Sequence, residues 1–328
     1  MEKIIADKLK PGDTIGIVSP SNPSNEHKQK FLKDAIKVLE EKFKLKVKIG
    51  KSYTLKDKYG VSAGSPQERA EDINGMFKNP EIKMIWCAQG GHTANQVLDY
   101  LDFELIKNNP KIFSGLSDIT VLINALNSMT GLVTFHGPDP KVGEENSYFT
   151  SEYSQDQFKE RFIGGKIGDV KKNLDTDSKF KSNWKCIREG KAKGRIIGSH
   201  LGCFLKLAGT KYFPDVDGAI LLLEACTIDI RKALFQLTQL KQMGVFDKIS
   251  GIVIGYVLGF EKNKLLDKDG QRVYFEDLVL DVTKDYDFPI LKIQEFGHQC
   301  PNTFLPIGCM AEIDASEKKF SIIEECVK

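Results

Sequence analysis

The chain has 328 residues, which is enough for two domains or for one large one. Hydrophobic residues make up 41% and charged residues 28%, values that are ordinary for a globular protein and exclude a disordered, collagen-like or coiled-coil chain. Lys and Arg (47) nearly balance Asp and Glu (45), so the net charge of +2 argues against nucleic acid or an anionic membrane as the main partner.

Three further features of the sequence indicate the compartment in which the protein works. No apolar run approaches the length of a membrane-spanning helix, and the first residues lack the apolar core of a signal peptide. The seven cysteines are odd in number and scattered, which is typical of free thiols in a reducing compartment. We therefore expect a cytoplasmic protein.

The first part of the chain alternates apolar runs with helical periods. Strands are predicted at Thr14–Ser19, Lys83–Ala88 and Ile112–Ser114, and helices over residues 31–43, 66–77 and 119–126. This βαβα rhythm predicts an α/β fold with a doubly wound, mainly parallel, flavodoxin-like sheet.

Residues 143–193 are poor in aliphatic side chains and rich in polar ones, with Trp184 as the conspicuous exception. Beyond them, strands are predicted at Ala219–Glu224 and Gly251–Val257, followed by short strands and turns. We expect an N-terminal domain over 1–165, a connecting loop over 166–193, and a smaller C-terminal α/β domain over 194–328.

Ser117 lies where a predicted strand turns directly into a helix, within Gly115-Leu116-Ser117-Asp118. Such a turn places a serine hydroxyl near backbone N–H groups that stabilise an oxyanion. The alternative is a serine that simply caps the helix. Gly90-Gly91 sits at a similar junction, where paired glycines allow the backbone to approach a ligand closely or form only a tight turn.

Glu224 ends an apolar strand, where a carboxylate is either paired or exposed. His298, between Gly297 and a proline-rich turn, has the setting of a rigidly held general base, whereas His136 is predicted to lie in a loop. Ser117, Glu224 and His298 would make a nucleophile, acid and base in a known chain order. No spacing typical of a zinc site, dinucleotide fingerprint or P-loop occurs, so no metal or cofactor is predicted.

The chain resembles the LD-carboxypeptidase family of serine peptidases. The motifs that carry the resemblance run over nearly the whole chain: Lys10-Pro11-Gly12-Asp13, Gly90-Gly91, Gly115 to Thr120, Phe135-His136-Gly137-Pro138, Leu223-Glu224, Gly297-His298 and Leu305-Pro306-Ile307-Gly308.

The resemblance implies a Ser117–His298–Glu224 triad that hydrolyses an amide bond without metal or cofactor. It also implies an oxyanion hole built from the backbone N–H groups of Asp118 and of Gly90 or Gly91, and a homodimer.

The family has two branches with different substrates. One removes a D-amino acid from murein tetrapeptide, and the other, that of the microcin C immunity proteins, cleaves peptidyl- or aminoacyl-nucleotide conjugates. The stretch around His92 lacks the Gly-Gly-Tyr-Gly sequence, preceded by arginine, that is typical of the carboxypeptidases. The loop tryptophan Trp184 resembles one that stacks on a nucleobase in the other branch. We therefore predict the second branch, with Trp184, His92 and His200 contacting a small-molecule substrate.

Three alternatives stay open. One is the activity of the first branch, the removal of the terminal D-amino acid from murein tetrapeptide. A second alternative is that Trp184 does not contact a nucleobase but is a hydrophobic plug that holds its loop in place. A further alternative to the hydrolase is a binding protein without catalysis, which would hold a peptide or nucleotide in the same cleft.

Overall fold

A computed structural model describes residues 2–24, 26–141, 149, 151–174, 180 and 182–328, and of residues 26–28 the backbone alone. Part of the polar connecting stretch predicted over residues 166–193 therefore lies outside the described residues.

The described strands are numbered β1 to β14 in chain order. They are Thr14–Val18, Lys46–Ile49, Ile82–Cys87, Ile112–Gly115, Thr134–His136, Gly168–Asp169, Lys185–Arg188, Lys191–His200, Ile220–Glu224, Gly251–Tyr256, Ile290–Gly297, Leu305–Ile307, Met310–Asp314 and Lys319–Ile322.

The described α-helices are numbered α1 to α9. They are Glu26–Glu41, Pro66–Lys78, Phe103–Asn108, Thr120–Thr130, Glu152–Phe158, Leu201–Phe204, Ile230–Gln242, Leu258–Lys262 and Phe275–Val282.

The first sheet has six strands in the order β12-β5-β4-β3-β1-β2. All neighbours are parallel except β12, which returns from late in the chain to lie antiparallel to β5. Its central strands are buried and almost wholly apolar, as in a parallel sheet that helices cover on both faces. The predicted doubly wound, mainly parallel sheet is confirmed.

The second sheet has eight strands in the order β6-β14-β13-β8-β9-β10-β11-β7. Its centre, β8 to β11, is parallel, and the short outer strands are antiparallel. The strands β6 and β7, from the predicted connecting loop, form its two edges. The prediction of a second α/β part that contains many short strands is therefore confirmed.

Local sequence accounts for the main elements. The helix α2 begins at a capping box in which Ser65 and Glu68 bond reciprocally, with Pro66 at the first helical position. The predicted strands at 14–19, 83–88 and 112–114 correspond to β1, β3 and β4. The helix predicted after Gly91 is instead a short 3₁₀ helix, Ala94–Tyr100.

The two sheets share a core and are joined by polar contacts at α4. One apolar cluster contains Phe113 of the first sheet and Ile196 and Phe320 of the second. From α4, the Asn124 amide donates to the Gly198 carbonyl and accepts from the Gly198 N–H, both at 2.9 Å. The helix that follows Ser117 is therefore fixed to β8 of the second sheet.

Within the described ranges, no helix combines the length and the apolar character needed to cross a membrane.

Candidate active site

Ser117 occupies a left-handed backbone conformation, with φ of +64°, two residues after the end of β4. A non-glycine residue in that region is held there by its surroundings, and such strain concentrates at functional sites. The helical turn that begins at Ser117 and the following α4 are capped by Leu116 and Ile119, and neither makes a side-chain cap. The alternative that Ser117 serves as a helix cap therefore finds no support.

Gly90 lies against Ser117. A Cβ added to Gly90 would stand 2.6 Å from Ser117 Cβ, 2.9 Å from Ser117 Oγ and 3.0 Å from the Asp118 nitrogen. Gly91 has φ of +152°, and a Cβ there would meet Asn22 Oδ1 at 2.1 Å. Only glycine fits at either position, which brings the main chain of this turn beside the hydroxyl and the Asp118 N–H.

Glu224 and His298 form a hydrogen bond of 2.8 Å between Oε2 and Nδ1. Glu224 is fully buried at the end of β9, so the alternative of an exposed strand end is wrong. The His298 side chain is 14% exposed. The carboxylate thus orients an imidazole that reaches solvent.

The charge state of Glu224 follows from its neighbours. Burial on its own would raise the pKa, but the imidazoles of His298 and His200 and the hydrogen bond from His298 lower it to about 2. Burial lowers the pKa of His200 and of His136 to about 4, although Glu224 counteracts this. Around neutral pH, the acid is therefore an anion and these two histidines are neutral.

The loop that carries His298 is closed by Asn302. The Asn302 side chain accepts from the Gly297 N–H at 2.8 Å and donates to the carbonyls of Gly297 and Cys300 at 3.0 and 2.8 Å. The adjacent Gln299 has φ of +58°. Asn302 is fully buried, so these three hydrogen bonds are shielded from water and restrict the motion of the loop that carries the imidazole.

Asp118 is a buried carboxylate directly after Ser117. It accepts hydrogen bonds from Ser21 Oγ at 2.6 Å and from the Ala94 N–H at 2.8 Å, and Lys206 Nζ lies 2.5 Å away. Burial alone would raise the pKa of Asp118, but Lys206 and these hydrogen bonds hold it below its usual range.

The three predicted substrate contacts lie in different surroundings. His92 is exposed and lines a pocket of about 470 Å³ together with Asn22, Lys56 and Val61. His200 packs edge-on against His298, with ring centroids 5.5 Å apart. The structure therefore brings His200 next to the candidate general base, whereas His92 lies on the segment that follows the glycine turn.

Trp184 is 5% exposed, and its indole N–H donates to Glu295 Oε2 at 2.6 Å. Glu295 also accepts from the Asn173 N–H and from the Ser182 hydroxyl, and Lys172 lies over the indole ring. In this arrangement Trp184 anchors the described part of its loop to β11.

Sequence reasoning missed several residues of the site. His136 was expected in a loop, but it is fully buried in β5, where Ser199 Oγ lies 2.5 Å from its Nδ1. Lys206 carried no signal beyond its residue type, because its partner Asp118 is 88 positions away in the chain. Asn302 bonds residues only two and five positions away, so the turn after His298 held a local signal for it. The histidine that precedes Gly137-Pro138 also merited more weight.

An α/β fold with a hydrogen-bonded Glu–His pair, and with a serine in a strained turn after a parallel strand, has the architecture of a serine hydrolase. Family models match both parts of the chain: the LD-carboxypeptidase N-terminal domain over residues 15–137 and the LD-carboxypeptidase C-terminal domain over 193–313. The chain belongs to the LD-carboxypeptidase family of serine peptidases.

Relatives from both branches of the family are similar over almost their full lengths. The probable murein peptide carboxypeptidase of Bacillus subtilis is 32% identical, covering 94% of this chain and 91% of the relative. The microcin C7 self-immunity protein MccF of Escherichia coli is 30% identical, covering 98% and 96%.

Solved structures of MccF share the fold. A variant in complex with adenosine monophosphate gives a TM-score of 0.87 at 27% identity, covering 99% of this chain and 100% of that one. The complex of MccF with aspartyl sulfamoyl adenosine gives 0.86 at 26% identity, with the same coverage.

Proposed function

We propose that the protein hydrolyses an amide bond with a triad of Ser117, His298 and Glu224. The observation that carries this proposal is the 2.8 Å hydrogen bond from His298 Nδ1 to a buried Glu224. With Nδ1 committed to the carboxylate, the ring nitrogen that would take the Ser117 proton is Nε2.

The proposed reaction has two stages. Ser117 Oγ attacks the carbonyl carbon as its proton passes to His298, and the oxyanion accepts hydrogen bonds from the N–H groups of Asp118 and of Gly90 or Gly91. The carbon–nitrogen bond then breaks, and His298 returns the proton to the leaving nitrogen. Water, activated by the same imidazole, hydrolyses the acyl-enzyme and restores Ser117.

For the substrate, we propose a peptidyl- or aminoacyl-nucleotide conjugate, as for MccF. The support is the full-length similarity to MccF and the sequence His92-Thr93-Ala94 after the paired glycines, which lacks the carboxypeptidase pattern. The pocket that His92 and Lys56 line offers room and a positive charge next to the glycine turn. The homodimer and the cytoplasmic location remain predictions.

The second candidate is removal of the terminal D-amino acid from an L,D-linked murein tetrapeptide. The 32% identity to the Bacillus subtilis relative favours it. The chemistry at Ser117 would be the same, so only the substrate separates the two candidates.

The test is a side-by-side hydrolysis assay with the wild type and Ser117→Ala. Each is offered aspartyl sulfamoyl adenosine and an L,D-linked murein tetrapeptide. Release of aspartate alone supports the nucleotide-conjugate substrate, and release of D-alanine alone supports the carboxypeptidase. Turnover by a folded Ser117→Ala would refute the triad. Wild type that neither turns over nor reacts with a fluorophosphonate probe would favour a binding protein without catalysis.

A further inference from the structure

Lys206 touches both sides of the proposed oxyanion hole. Its Nζ lies 2.5 Å from Asp118 Oδ1, on the residue after the nucleophile, and 2.9 Å from the carbonyl of His92, on the residue after Gly91. The lysine comes from the turn after α6, which extends from β8 of the second sheet. One side chain from the second half of the chain thus joins two segments of the first half.

The Asp118 carboxylate extends this connection. Its second oxygen, Oδ2, accepts from Ser21 Oγ and from the Ala94 N–H, and Ser21 Oγ in turn accepts from the Thr93 N–H at 3.2 Å. The segment 92–94 is therefore held at His92 by Lys206 and at Ala94 by Asp118. The glycine turn ends where these anchors begin.

The separation across the hole matters for catalysis. Oxyanion stabilisation requires donors within about 3 Å of one oxygen atom, and a shift of 1 Å costs about 10²-fold in rate. Near Ser117 the fit is already tight, since a Cβ on Gly90 would lie 3.0 Å from the Asp118 nitrogen. Because glycines leave their own turn loosely constrained, its position depends on what holds the flanking residues.

We propose that Lys206 is a positioning residue: by bonding Asp118 and the His92 carbonyl at once, it sets the spacing between the two donor segments of the oxyanion hole. The inference rests on the proposed function and adds a residue to it. It also means that the hole reaches its working geometry only when the second half of the chain is seated on the first.

The experiment compares Lys206→Met, which keeps most of the length of the side chain and removes its charge, with Lys206→Arg, which keeps the charge and can still donate to both acceptors. Lys3→Met is the matched control. Lys3 Nζ likewise contacts a carboxylate, Glu324 at 2.8 Å, and a carbonyl, that of Glu325 at 3.1 Å, and its exposure is similar (34% against 27%). It lies outside the candidate site.

We expect Lys206→Met to lower kcat by about tenfold or more with KM within about threefold of wild type, because the hole acts on the transition state. Lys206→Arg should recover most of kcat, and Lys3→Met should stay within about twofold of wild type. A wild-type kcat in Lys206→Met, measured with an active wild type and an inactive Ser117→Ala, would overturn the inference and leave the proposed function standing.

A second measurement does not depend on turnover. Amide hydrogen exchange should accelerate in the segment 90–94 of Lys206→Met, where Ala94 N–H is bonded to Asp118, and not in that of Lys3→Met. Unchanged exchange in this segment would overturn the inference even if neither test substrate is hydrolysed.

Discussion

The imidazole of His136 and the hydroxyl of Ser199 are hydrogen-bonded, Nδ1 to Oγ, at 2.5 Å, and this bond joins the two sheets. His136 pairs with Gly115, on the strand that leads to Ser117, and Ser199 pairs with Leu223, the residue before Glu224. Ser199 has φ of +123°, a backbone conformation that residues other than glycine rarely adopt. The bond therefore connects β5, the neighbour of the strand that leads to Ser117, with β8, the neighbour of the strand that ends at Glu224.

This buried imidazole makes stability depend on pH. The unfolded chain binds a proton at His136 near the ordinary value of 6.5, but the folded protein does so only near pH 4. Between these values the unfolded state holds more protons, so the free energy of unfolding falls as the pH is lowered from 6.5 to 4. The contribution of one such histidine is about 1.4 kcal/mol per pH unit.

His136→Asn, which retains a polar atom for Ser199, should reduce that slope by about one proton. Urea unfolding at intervals between pH 4 and 8 measures it, with linear extrapolation to water. Above pH 7.5 the curves of the variant and the wild type should run parallel. An identical slope in both proteins below pH 6.5 would show that His136 already binds its proton in the folded state.

Gly90→Ala should abolish turnover without unfolding the protein. The new methyl group would lie 2.9 Å from Ser117 Oγ and 2.6 Å from its Cβ, which displaces the hydroxyl. We expect a loss of kcat of about 10²-fold or more, measured by the hydrolysis assay beside a thermal melt.

The matched control is Gly75→Ala in α2, where an added Cβ meets no heavy atom within 4 Å. That substitution should raise the free energy of unfolding by about 0.5–1 kcal/mol and leave kcat unchanged. Full activity in Gly90→Ala would separate Gly90 from the site.

Glu224→Gln should lower kcat by about 10²–10⁴-fold, because a neutral amide neither stabilises the imidazolium nor selects the tautomer with a proton on Nδ1. The hydrogen bond to His298 can still form, so far-ultraviolet circular dichroism should match that of the wild type. Single-turnover kinetics would place the loss in the acylation step. A rate equal to wild type would remove Glu224 from the triad.

Trp184→Phe should reduce the free energy of unfolding by about 1–3 kcal/mol, since the buried Glu295 loses its 2.6 Å donor. Trp86→Phe serves as the control, because its buried indole N–H also bonds an acceptor, the Pro138 carbonyl at 2.8 Å. Urea unfolding should give similar losses for both. A rise in KM for the adenosine conjugate in Trp184→Phe alone would assign its ring a contact with the nucleobase.

Local patterns were enough to predict most of the fold, and they supplied the residues of the candidate site, whose roles stay predictions. Apolar runs and helical periods located β1, β3, β4 and α2, because these signals act within a few residues. Ser117 follows one parallel strand and Glu224 ends another, and the carboxyl ends of such strands gather ligand-binding residues in these folds.

The supporting contacts were beyond such reasoning. Lys206 meets Asp118 across 88 positions, and Asn124 meets Gly198 across 74. No spacing in the sequence encodes a pairing that depends on how two sheets dock. The burial of Trp184 depends in the same way on Glu295, 111 positions later.

The strand β12 has a consequence for synthesis of the protein. Leu305–Ile307 pairs with β5 and covers its outer side, although β5 itself is translated far earlier. Until residues 305–307 are made, the nascent chain leaves that side of β5 as an unpaired edge, the kind of surface that recruits other strands. Residue 298 is translated only shortly before them. A newly made chain therefore acquires this strand and its imidazole nearly together, and a chain that ends before residue 298 has neither.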